Sequence, residues 1–181
     1  EAAVAGLVAQ AFVARILDAD ASIRTLVDIG CGDFQVSRRI LSRVARPVAY
    51  VGCDIASLVV AHNQKLQGLD GQIAFRTLNV ATDTLPHGDI VTIREVFQHL
   101  SNATIQSALA NLRGTFSRAI ITEAVPLNPS APNRDIVSGY RTRDGLNSGV
   151  YLELEPFNHT VLDRYQTEVN DELLRTLVVA L

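Results

Sequence analysis

The sequence predicts an α/β fold: a three-layer αβα sandwich whose seven-stranded, mostly parallel sheet ends in an antiparallel hairpin. Short β-rich runs alternate with stretches of helical periodicity, which is the pattern of β-α-β units. A glycine-rich turn follows the first strand run, at the edge where open α/β sheets bind ligands. A length of 181 residues fits one domain, so we assign residues 1–181 to a single domain.

The first half of the chain predicts an N-terminal helix followed by three strands. The larger apolar side chains of segment 1–20 recur at helical spacing and predict a packed helix at about 2–18; they are Val4, Leu7, Val8, Phe12 and Ile16. The strands are expected at Thr25 to Ile29, Val48 to Cys53 and Ile73 to Leu78, and the intervening helices at about 35–45 and 56–67, with Gly68 closing the second.

The second half predicts two further parallel strands, a helix between them and a terminal hairpin. Ser101 or Asn102 can cap the helix, whose apolar residues share one face. The strands are expected at Asp89 to Ile93, at Ala119 to Val125, and, for a hairpin joined by Asn170-Asp171, at about 161–168 and 173–180.

A long loop precedes that hairpin. Residues 126–150 have no clear period and are rich in Pro, Asn, Ser, Gly and Arg, and long loops of this kind are commonly functional. We therefore predict a substrate-side loop over 126–160, in which 126–150 forms a mobile lid above the substrate site.

Composition and charge argue against several classes of protein. Apolar residues make up 48% and charged residues 19% of the chain, which is typical of a globular domain and not of a disordered one. A net charge of −3 provides no general basic surface, so nucleic acid is not favoured as a partner. No run of about 18 apolar residues is present, so no membrane span is expected. Two cysteines, Cys31 and Cys53, are too few for a disulfide framework, and free thiols favour a cytoplasmic location.

The turn Gly30-Cys31-Gly32 is the strongest local signal. Glycines permit a tight turn and a close approach of the backbone to a ligand. The helix start at about 34–36 is expected to offer free N–H groups to a carboxylate or phosphate. Ordinary turn glycines are the alternative, but a strand before them and a helix after them favour a binding turn.

Polar residues follow the next two strands. Asp54 ends the second strand, where an acidic side chain can accept hydrogen bonds from both hydroxyls of a ribose. Asn79 and Val80 follow the third strand, where they could meet an adenine edge and cover its ring. Taken singly, Asp54 could be a solvated acid or helix cap, and Asn79 a turn residue. Together with the glycine turn they predict a nucleoside site.

The turn does not fit a dinucleotide. The dinucleotide fingerprint G-x-G-x-x-G has a third glycine, whereas Gln35 stands at that position. Asp33 also places an anionic side chain in the turn, which disfavours two phosphates. A nicotinamide-dependent oxidoreductase is therefore the weaker alternative.

Four segments resemble the successive motifs of class I S-adenosylmethionine-dependent methyltransferases; they are VDIGCGDF, YVGCDIA, FRTLNVAT and DIVTIREVFQHLS. The resemblance covers about 24–181 and implies a Rossmann-like fold, with S-adenosylmethionine as cofactor and S-adenosylhomocysteine as product. Some residues of the loop are similar to those of a group of small bacterial methyltransferase-like proteins of unassigned substrate; they are Asn133-Arg134-Asp135-Ile136, Gly139, Arg141 and Glu155-Pro156-Phe157-Asn158. That group often has a tryptophan and a second proline where this chain has Tyr140 and Glu155.

The resemblance implies which residues bind the cofactor. Asp28 and the glycine turn would line its methionine part, Asp54 would hold the ribose, and Arg94 would present its backbone carbonyl near the sulfonium. Gln98 would begin the helix beside the substrate. The implied set is Asp28, Gly30, Cys31, Gly32, Asp54, Ile55, Asn79, Val80, Arg94 and Gln98.

Transfer of a methyl group from a sulfonium requires alignment and exclusion of water, and it requires a base only if the acceptor must lose a proton. His99 is the main titratable candidate, with Glu95 and Glu123 as others, although each could be a packed structural residue. We assign no catalytic residue.

Substrate binding is predicted at His99, Tyr140 and Arg141. The loop carries Arg134, Arg141 and Arg143, which could meet an acidic acceptor through bidentate contacts.

The function predicted is methyl transfer to a small-molecule acceptor through an O- or N-nucleophile, by a monomer or homodimer. Ile93-Arg94-Glu95-Val96 stands where methyltransferases acting on nucleic-acid amino groups usually carry N/D-P-P-Y/F, which favours a small molecule. A partner subunit that binds S-adenosylmethionine without catalysis is the main alternative. The histidines lack the spacing of metal ligands, so no metal is expected.

Overall fold

The computed structural model describes residues 2–66, 72–170 and 172–181, the first four of them as backbone alone. Within these residues, one seven-stranded sheet has the strand order β3-β2-β1-β4-β5-β7-β6. Its strands are Thr25–Ile29 (β1), Ala49–Asp54 (β2), Ile73–Thr77 (β3), Ile90–Arg94 (β4), Arg118–Pro126 (β5), Val161–Val169 (β6) and Glu172–Ala180 (β7). The predicted α/β fold is confirmed.

Helices connect or cover these strands. The α-helices are Ala2–Ala19 (α1), Gln35–Leu41 (α2), Ser57–Asn63 (α3) and Asn102–Arg113 (α4), and the short 3-10 helices are Phe97–His99 and Asp144–Leu146. Ser101 is the N-cap of α4, because its side chain accepts a hydrogen bond from the Thr104 N–H at 3.2 Å. Gln98 therefore lies in a 3-10 helix before α4, and the prediction that it begins the helix is wrong.

Strand direction places the ligand-binding edge. Strands β1 to β5 pair in parallel, whereas β7 runs antiparallel to both β5 and β6. The strand order reverses between β1 and β4, and the crevice at such a reversal, outside the carboxyl ends of the strands, is where open α/β sheets bind ligands.

The sheet separates two apolar cores. On one face, α1, α2 and α3 cover buried residues such as Leu26, Tyr50 and Ile90. On the other face, α4 packs Ile105 and Leu109 against the sheet. The helices and the sheet thus form the three layers that the sequence predicts.

The buried face of α1 differs from the predicted one. Leu7 and Val8 are 39% and 42% exposed, whereas Phe12, Val13 and Leu17 are buried. The helix packs its alanines and the apolar residues of its second half against the sheet. In a helix so rich in alanine, the spacing of the larger apolar residues therefore does not determine which face of the helix is buried.

Helices α2 and α3 end earlier than predicted. After Leu41 the chain closes i→i+3 turns, from Arg43 N to Ile40 O at 3.0 Å and from Val44 N to Leu41 O at 3.2 Å. Such tightening is common at helix ends. Residue 67 and Gly68, predicted to end the helix after β2, lie outside the described residues, as does Asp171 of the predicted hairpin turn.

None of the helices in the described part of the chain is both long and apolar enough to span a membrane.

Candidate functional site

A cleft of about 640 Å³ opens at the carboxyl edge of the sheet, beside the reversal of strand order. Its volume lies within the range of small-molecule sites, roughly 300–1,000 Å³. Nine residues that the sequence singled out line it together: Gly30, Asp54, Ile55, Asn79, Val80, Arg94, Glu95, His99 and Tyr140. Residues distant in the chain thus meet at one edge, because the strands that carry them run in parallel.

Gly30 forms the floor of the cleft and has a conformation that requires glycine. Its φ is +74°, and an added Cβ would lie 2.2 Å from Cγ2 of Val96, which also lines the cleft. The backbone of β1 and the segment after β4 therefore approach so closely that no side chain fits between them.

The glycine turn is fixed to the end of β2. The N–H groups of Gly30 and Cys31 both donate to the carbonyl of Cys53, at 2.8 and 3.0 Å. The Gly32 N–H donates to Oδ2 of Asp54 at 3.1 Å. The turn is held in place from the neighbouring strand, and these three donors are already satisfied.

The expectation that the start of α2 offers free N–H groups is wrong for its first two residues. The Phe34 N–H donates to the Cys31 carbonyl at 3.1 Å, and the Gln35 N–H donates to Oδ1 of Asp33 at 3.1 Å. The N-cap of the helix is Phe34, whose φ is +66°, and the Asp33 carboxylate accepts from the first N–H of the helix itself.

Asp54 is half-buried at the end of β2 and lines the cleft. Besides Gly32, it accepts a hydrogen bond from the Ala56 N–H, through Oδ1 at 2.9 Å. Ile55, the next residue, lines the same wall with 70% of its surface exposed. The carboxylate has a fixed direction, and an exposed apolar side chain stands beside it.

Asn79 and Val80 form the next part of the wall. Oδ1 of Asn79 accepts a hydrogen bond from the Ala81 N–H at 3.0 Å, which leaves the amide nitrogen as the side-chain group for a ligand. Val80 is 6% exposed and packs into the core while lining the cleft. One polar donor and one apolar surface therefore face the region next to Asp54.

The segment after β4 carries the charged part of the cleft. Glu95 has a φ of +52°, which is rare for a residue other than glycine, and its N–H donates to the Thr122 carbonyl at 2.8 Å. Its carboxylate lies 3.3 Å from a guanidinium nitrogen of Arg94. The Arg94 carbonyl oxygen lies 4.0 Å from the position of a Cβ on Gly30, so it faces the glycine turn.

Glu123 holds the start of the 3-10 helix Phe97–His99 through its carboxylate. It is 3% exposed, and its two carboxylate oxygens accept hydrogen bonds from the N–H groups of Phe97, at 2.8 Å, and Gln98, at 3.1 Å. Burial raises the pKa of Glu123 to about 8, although the hydrogen bonds oppose this shift. Glu123 does not line the cleft; it holds the first two residues of the 3-10 helix whose last residue, His99, does line it.

His99 carries a titratable side chain at the end of the cleft that it forms together with residues 138–140. We call this part of the cleft the acceptor end. Within the described residues, the buried Nδ1 of His99 has no hydrogen-bond partner. Its backbone carbonyl accepts a hydrogen bond from the Gly139 N–H at 2.9 Å, which fixes the loop against the 3-10 helix.

Residues 138–140 form the outer wall. Ser138 Oγ accepts a hydrogen bond from the Ser101 N–H at 2.9 Å and lies 3.0 Å from Oγ1 of Thr104. Tyr140 is 85% exposed at the mouth. Arg141 lies next to it, with Nε 3.4 Å from the tyrosine hydroxyl, but it does not line the cleft itself.

Arg143 is a structural residue, which corrects its proposed contact with an acidic acceptor. It has no exposed surface, and its guanidinium donates to the carbonyls of Arg134 and Leu100. Burial lowers its pKa, and Asp135 and Glu123 oppose that shift. A guanidinium so enclosed cannot reach a ligand in the cleft.

The predicted lid is held by hydrogen bonds along its length. Asn133 is 5% exposed; its Nδ2 donates to the carbonyls of Tyr151 and Glu155, both at 2.8 Å, and its Oδ1 accepts from the Tyr151 N–H at 2.7 Å. The segment before residue 138 is thereby tied to the one after residue 150. Mobility of this loop stays a prediction.

Five predicted site residues lie outside the cleft lining: Asp28, Cys31, Gly32, Gln98 and Arg141. Asp28 is buried and accepts hydrogen bonds from the hydroxyls of Ser37, Tyr50 and Thr92. Burial raises the pKa of Asp28, although these three hydroxyls oppose the shift. The Cys31 thiol is also buried, next to Asn63, and burial raises its pKa, so it is no reactive thiolate.

The structure adds residues to the cleft that sequence reasoning missed: Val96, Leu100, Thr104 and Ser138. Three of them lie within ten residues after the end of β4. Because the carboxyl ends of the strands form the binding edge, their position in the sequence could have indicated that they line the cleft. Ser138 offered none, because a loop without periodicity does not indicate which residue faces inward. Among the described residues, no group of three or more His, Cys, Asp and Glu side chains could hold a metal ion.

Comparison with known proteins adds a family and a fold. The sequence profile of a family described as a methyltransferase domain matches residues 27–117. No curated protein sequence matches the chain.

Solved structures share its fold at low identity. The magnesium protoporphyrin IX methyltransferase of Synechocystis PCC 6803, with bound S-adenosylhomocysteine, superposes with a TM-score of 0.68 at 17% identity, over 98% of this chain and 84% of that one. The N-methyltransferase NodS of Bradyrhizobium japonicum WM9, also with S-adenosylhomocysteine, gives 0.66 at 14%, over 94% and 85%. The cyclase SpnF gives 0.71 at 15%, over 94% and 79%.

Proposed function

Because the chain belongs to the methyltransferase-domain family, we propose that it transfers a methyl group from S-adenosylmethionine to a small-molecule acceptor. The observation that carries the proposal is the cleft itself. It combines the bare floor at Gly30 with Asp54, Ile55, Asn79 and Val80 on one wall and His99 on the other.

The residues present fit an S-adenosyl group. The missing Cβ of Gly30 leaves a cradle beside Val96 for a thin part of the ligand. Asp54 is aimed by two backbone N–H groups and can accept from ribose hydroxyls. Exposed Ile55 and buried Val80 can cover the two faces of a purine, and the Asn79 amide can meet its edge.

The backbone near Gly30 suits a cation. The Arg94 carbonyl places the negative end of a dipole beside the glycine turn, where a sulfonium would lie, while the Glu95 carboxylate is paired with the Arg94 guanidinium. Preorganised groups of this kind act strongly in a site that excludes water.

When bound, the cofactor supplies an electrophilic methyl group and a good leaving group. The chain must then align the acceptor and exclude water, and alignment can supply about 7–11 kcal/mol in well-oriented systems. Residues 138–140 close the acceptor end, and the 3-10 helix fixes its inner wall. His99 has a free ring nitrogen that can take a proton from an acceptor hydroxyl or amine.

A test of the activity uses isotopically labelled S-adenosylmethionine with a pool of small metabolites, followed by mass spectrometry of labelled products. We expect one or a few methylated small molecules whose formation is saturable. Binding of S-adenosylhomocysteine without any labelled product would instead indicate a partner subunit without catalysis.

The solved cyclase of the same fold is a reason to measure product directly and not to infer it from cofactor binding. A second sample, in which the protein is heat-denatured before the label is added, controls for uncatalysed methylation.

A further inference from the structure

The acceptor end of the cleft has an apolar inner surface. Leu100 follows His99 and lines the cleft too. The Leu100 side chain is half-buried and packs against the core on that face of the sheet. Thr104 Oγ1 lies 3.0 Å from Ser138 Oγ, so Thr104 borders the same end. A ligand group that enters there exchanges water for carbon and a few small polar groups.

None of the described side chains that border the acceptor end carries a fixed charge. The cleft has charged residues elsewhere. Arg94 and Glu95 form an ion pair, with a nitrogen and an oxygen 3.3 Å apart, and so neutralise each other. Asp54 stands on the opposite wall, where two backbone N–H groups direct its carboxylate.

The arginines of the loop do not change this balance of charge. Arg143 is buried and donates to two carbonyls. Arg141 does not line the cleft, and its guanidinium lies 5.8 Å from the centre of the Tyr140 ring. A carboxylate or an ammonium at the acceptor end would therefore lose water without gaining an opposite charge, which is costly.

His99 provides the acceptor end with a polar atom that lacks a partner. Its Nδ1 is buried and has no hydrogen bond within the part of the chain that the structure describes. The hydroxyls nearby are engaged, because Ser138 Oγ accepts from the Ser101 N–H at 2.9 Å and lies within hydrogen-bond distance of Thr104 Oγ1. Buried polar atoms nearly always have a partner, so one polar group of the acceptor is expected at His99.

We propose that the acceptor is an uncharged, largely apolar small molecule that presents one hydroxyl or N–H group to His99. Its oxygen or nitrogen gains the methyl group and gives up its proton to the histidine ring, and S-adenosylhomocysteine is the other product. This inference rests on the proposed function and adds the class of acceptor to it. It differs from the acidic acceptor that the sequence suggests, because the loop arginines do not line the cleft.

Three phenols that differ in one terminal group test the inference. At pH 7 para-propylphenol is neutral, para-hydroxyphenylpropionate ends in a carboxylate and tyramine ends in an ammonium. Calorimetry measures their dissociation constants for wild type saturated with S-adenosylhomocysteine. We expect para-propylphenol to bind at least about tenfold more tightly than either charged probe, because only the charged groups must be desolvated without a partner.

Leu100→Arg should reverse this preference. Its guanidinium places a cation at the acceptor end, where it can form two hydrogen bonds to a carboxylate. We expect the variant to bind para-hydroxyphenylpropionate about tenfold more tightly than wild type does, and para-propylphenol more weakly. Ala110→Arg adds the same charge on the exposed surface of α4 and should bind all three probes like wild type. Thermal melting checks folding, and Thr104→Arg is used if Leu100→Arg does not fold.

The products of the labelling experiment provide a second readout. We expect most of the label that leaves the cofactor to pass into an organic solvent at pH 7. Label that is extracted only after acidification would identify a carboxylic acid as the acceptor, and label that stays in water at every pH would identify a charged or strongly polar one. Either result would overturn the inference.

Equal affinities for the three probes, tighter binding of a charged probe, or binding of none would also overturn it. Binding of S-adenosylhomocysteine is measured first, so that failure of the proposed function is recognised separately. If that ligand does not bind, the proposed function fails. The probes are then titrated into the protein alone, where the same order of affinities is expected and any other order contradicts the inference.

Discussion

Asp54 connects the glycine turn to the wall of the cleft. Its two oxygens accept hydrogen bonds from the N–H groups of Gly32 and Ala56, so the direction of the carboxylate is fixed before a ligand binds. A group oriented in advance loses little freedom on binding, which favours affinity. The same contacts mean that Asp54 also stabilises the turn.

Asp54→Ala is expected to weaken binding of S-adenosylhomocysteine by about 1.5–3 kcal/mol, the range for lost hydrogen bonds to a charged group. Calorimetry measures the change. Asp163→Ala alters the net charge equally at an exposed position of β6 and should bind like wild type. An unchanged dissociation constant in Asp54→Ala would remove this residue from the site.

Glu123 is expected to make stability depend on pH. Its pKa in the folded protein, about 8, lies above the ordinary value of 4.5, so between these values the folded state holds a proton that the unfolded state has lost. The contribution of Glu123 to stability therefore decreases as pH rises from about 4.5 to 8, by at most about 1.4 kcal/mol per pH unit, and is constant above 8.

Urea unfolding at pH 5, 6, 7, 8 and 9 tests this dependence. Subtracting the curve of Glu123→Gln from that of wild type should leave a difference that falls with pH and levels off near pH 8. Glu168→Gln, on the exposed surface of β6, should give no such difference. A wild-type curve parallel to that of Glu123→Gln would contradict the raised pKa.

The loop over 126–150 and the 3-10 helix Phe97–His99 together form the acceptor end of the cleft. Arg143 connects them, because its guanidinium donates to the carbonyl of Leu100, just beyond the 3-10 helix, and to that of Arg134 within the loop. Gly139 adds a backbone hydrogen bond to His99. The loop is thus attached where the acceptor would bind.

Arg143→Met is expected to lower the free energy of unfolding by about 2–4 kcal/mol, since it leaves two carbonyls without a charged donor in a buried place. Arg141→Ala, a neighbouring but exposed arginine, should change it by less than about 0.5 kcal/mol. Denaturant unfolding of both variants makes the comparison. Similar losses in the two would mean that Arg143 is not the attachment point.

Arg141→Ala is expected to affect the acceptor and not the cofactor. Arg141 stands beside Tyr140 at the mouth, so its removal should lower turnover at limiting acceptor while the affinity for S-adenosylhomocysteine stays within about 0.5 kcal/mol of wild type. Kinetics at saturating cofactor, with the acceptor identified by the labelling experiment, measure the effect. Equal activity of variant and wild type would exclude Arg141 from acceptor binding.

The strands and the cofactor wall could be predicted from the sequence because their signals are local. Strands β1 and β2 are short, largely apolar runs, and Asp54 ends β2. Strand β3, which precedes Asn79, is an edge strand that buries only Phe75. The 3-10 helix Phe97–His99 has only three residues and therefore no period to detect.

Contacts between distant segments could not be predicted in the same way. Glu123 caps a helix 26 residues away, so nothing near it in the chain indicates that role. Similarly, no local pattern distinguishes buried Arg143 from exposed Arg134 and Arg141, because burial is decided by tertiary packing.

At the scale of the whole molecule, one sheet places all these groups at a single edge. The family and the fold point to S-adenosylmethionine, yet the solved cyclase shares the fold, so the chemistry depends on the cleft and not on the sheet. We propose that the region from Gly30 to Asp54 binds an S-adenosyl group and not a dinucleotide.

Calorimetric titration of the purified protein with S-adenosylhomocysteine and, separately, with NADH tests that claim most directly. We expect saturable binding of S-adenosylhomocysteine with a dissociation constant in the micromolar range, which corresponds to a binding free energy of roughly −8 kcal/mol, and no measurable binding of NADH. Binding of NADH without binding of S-adenosylhomocysteine would contradict it.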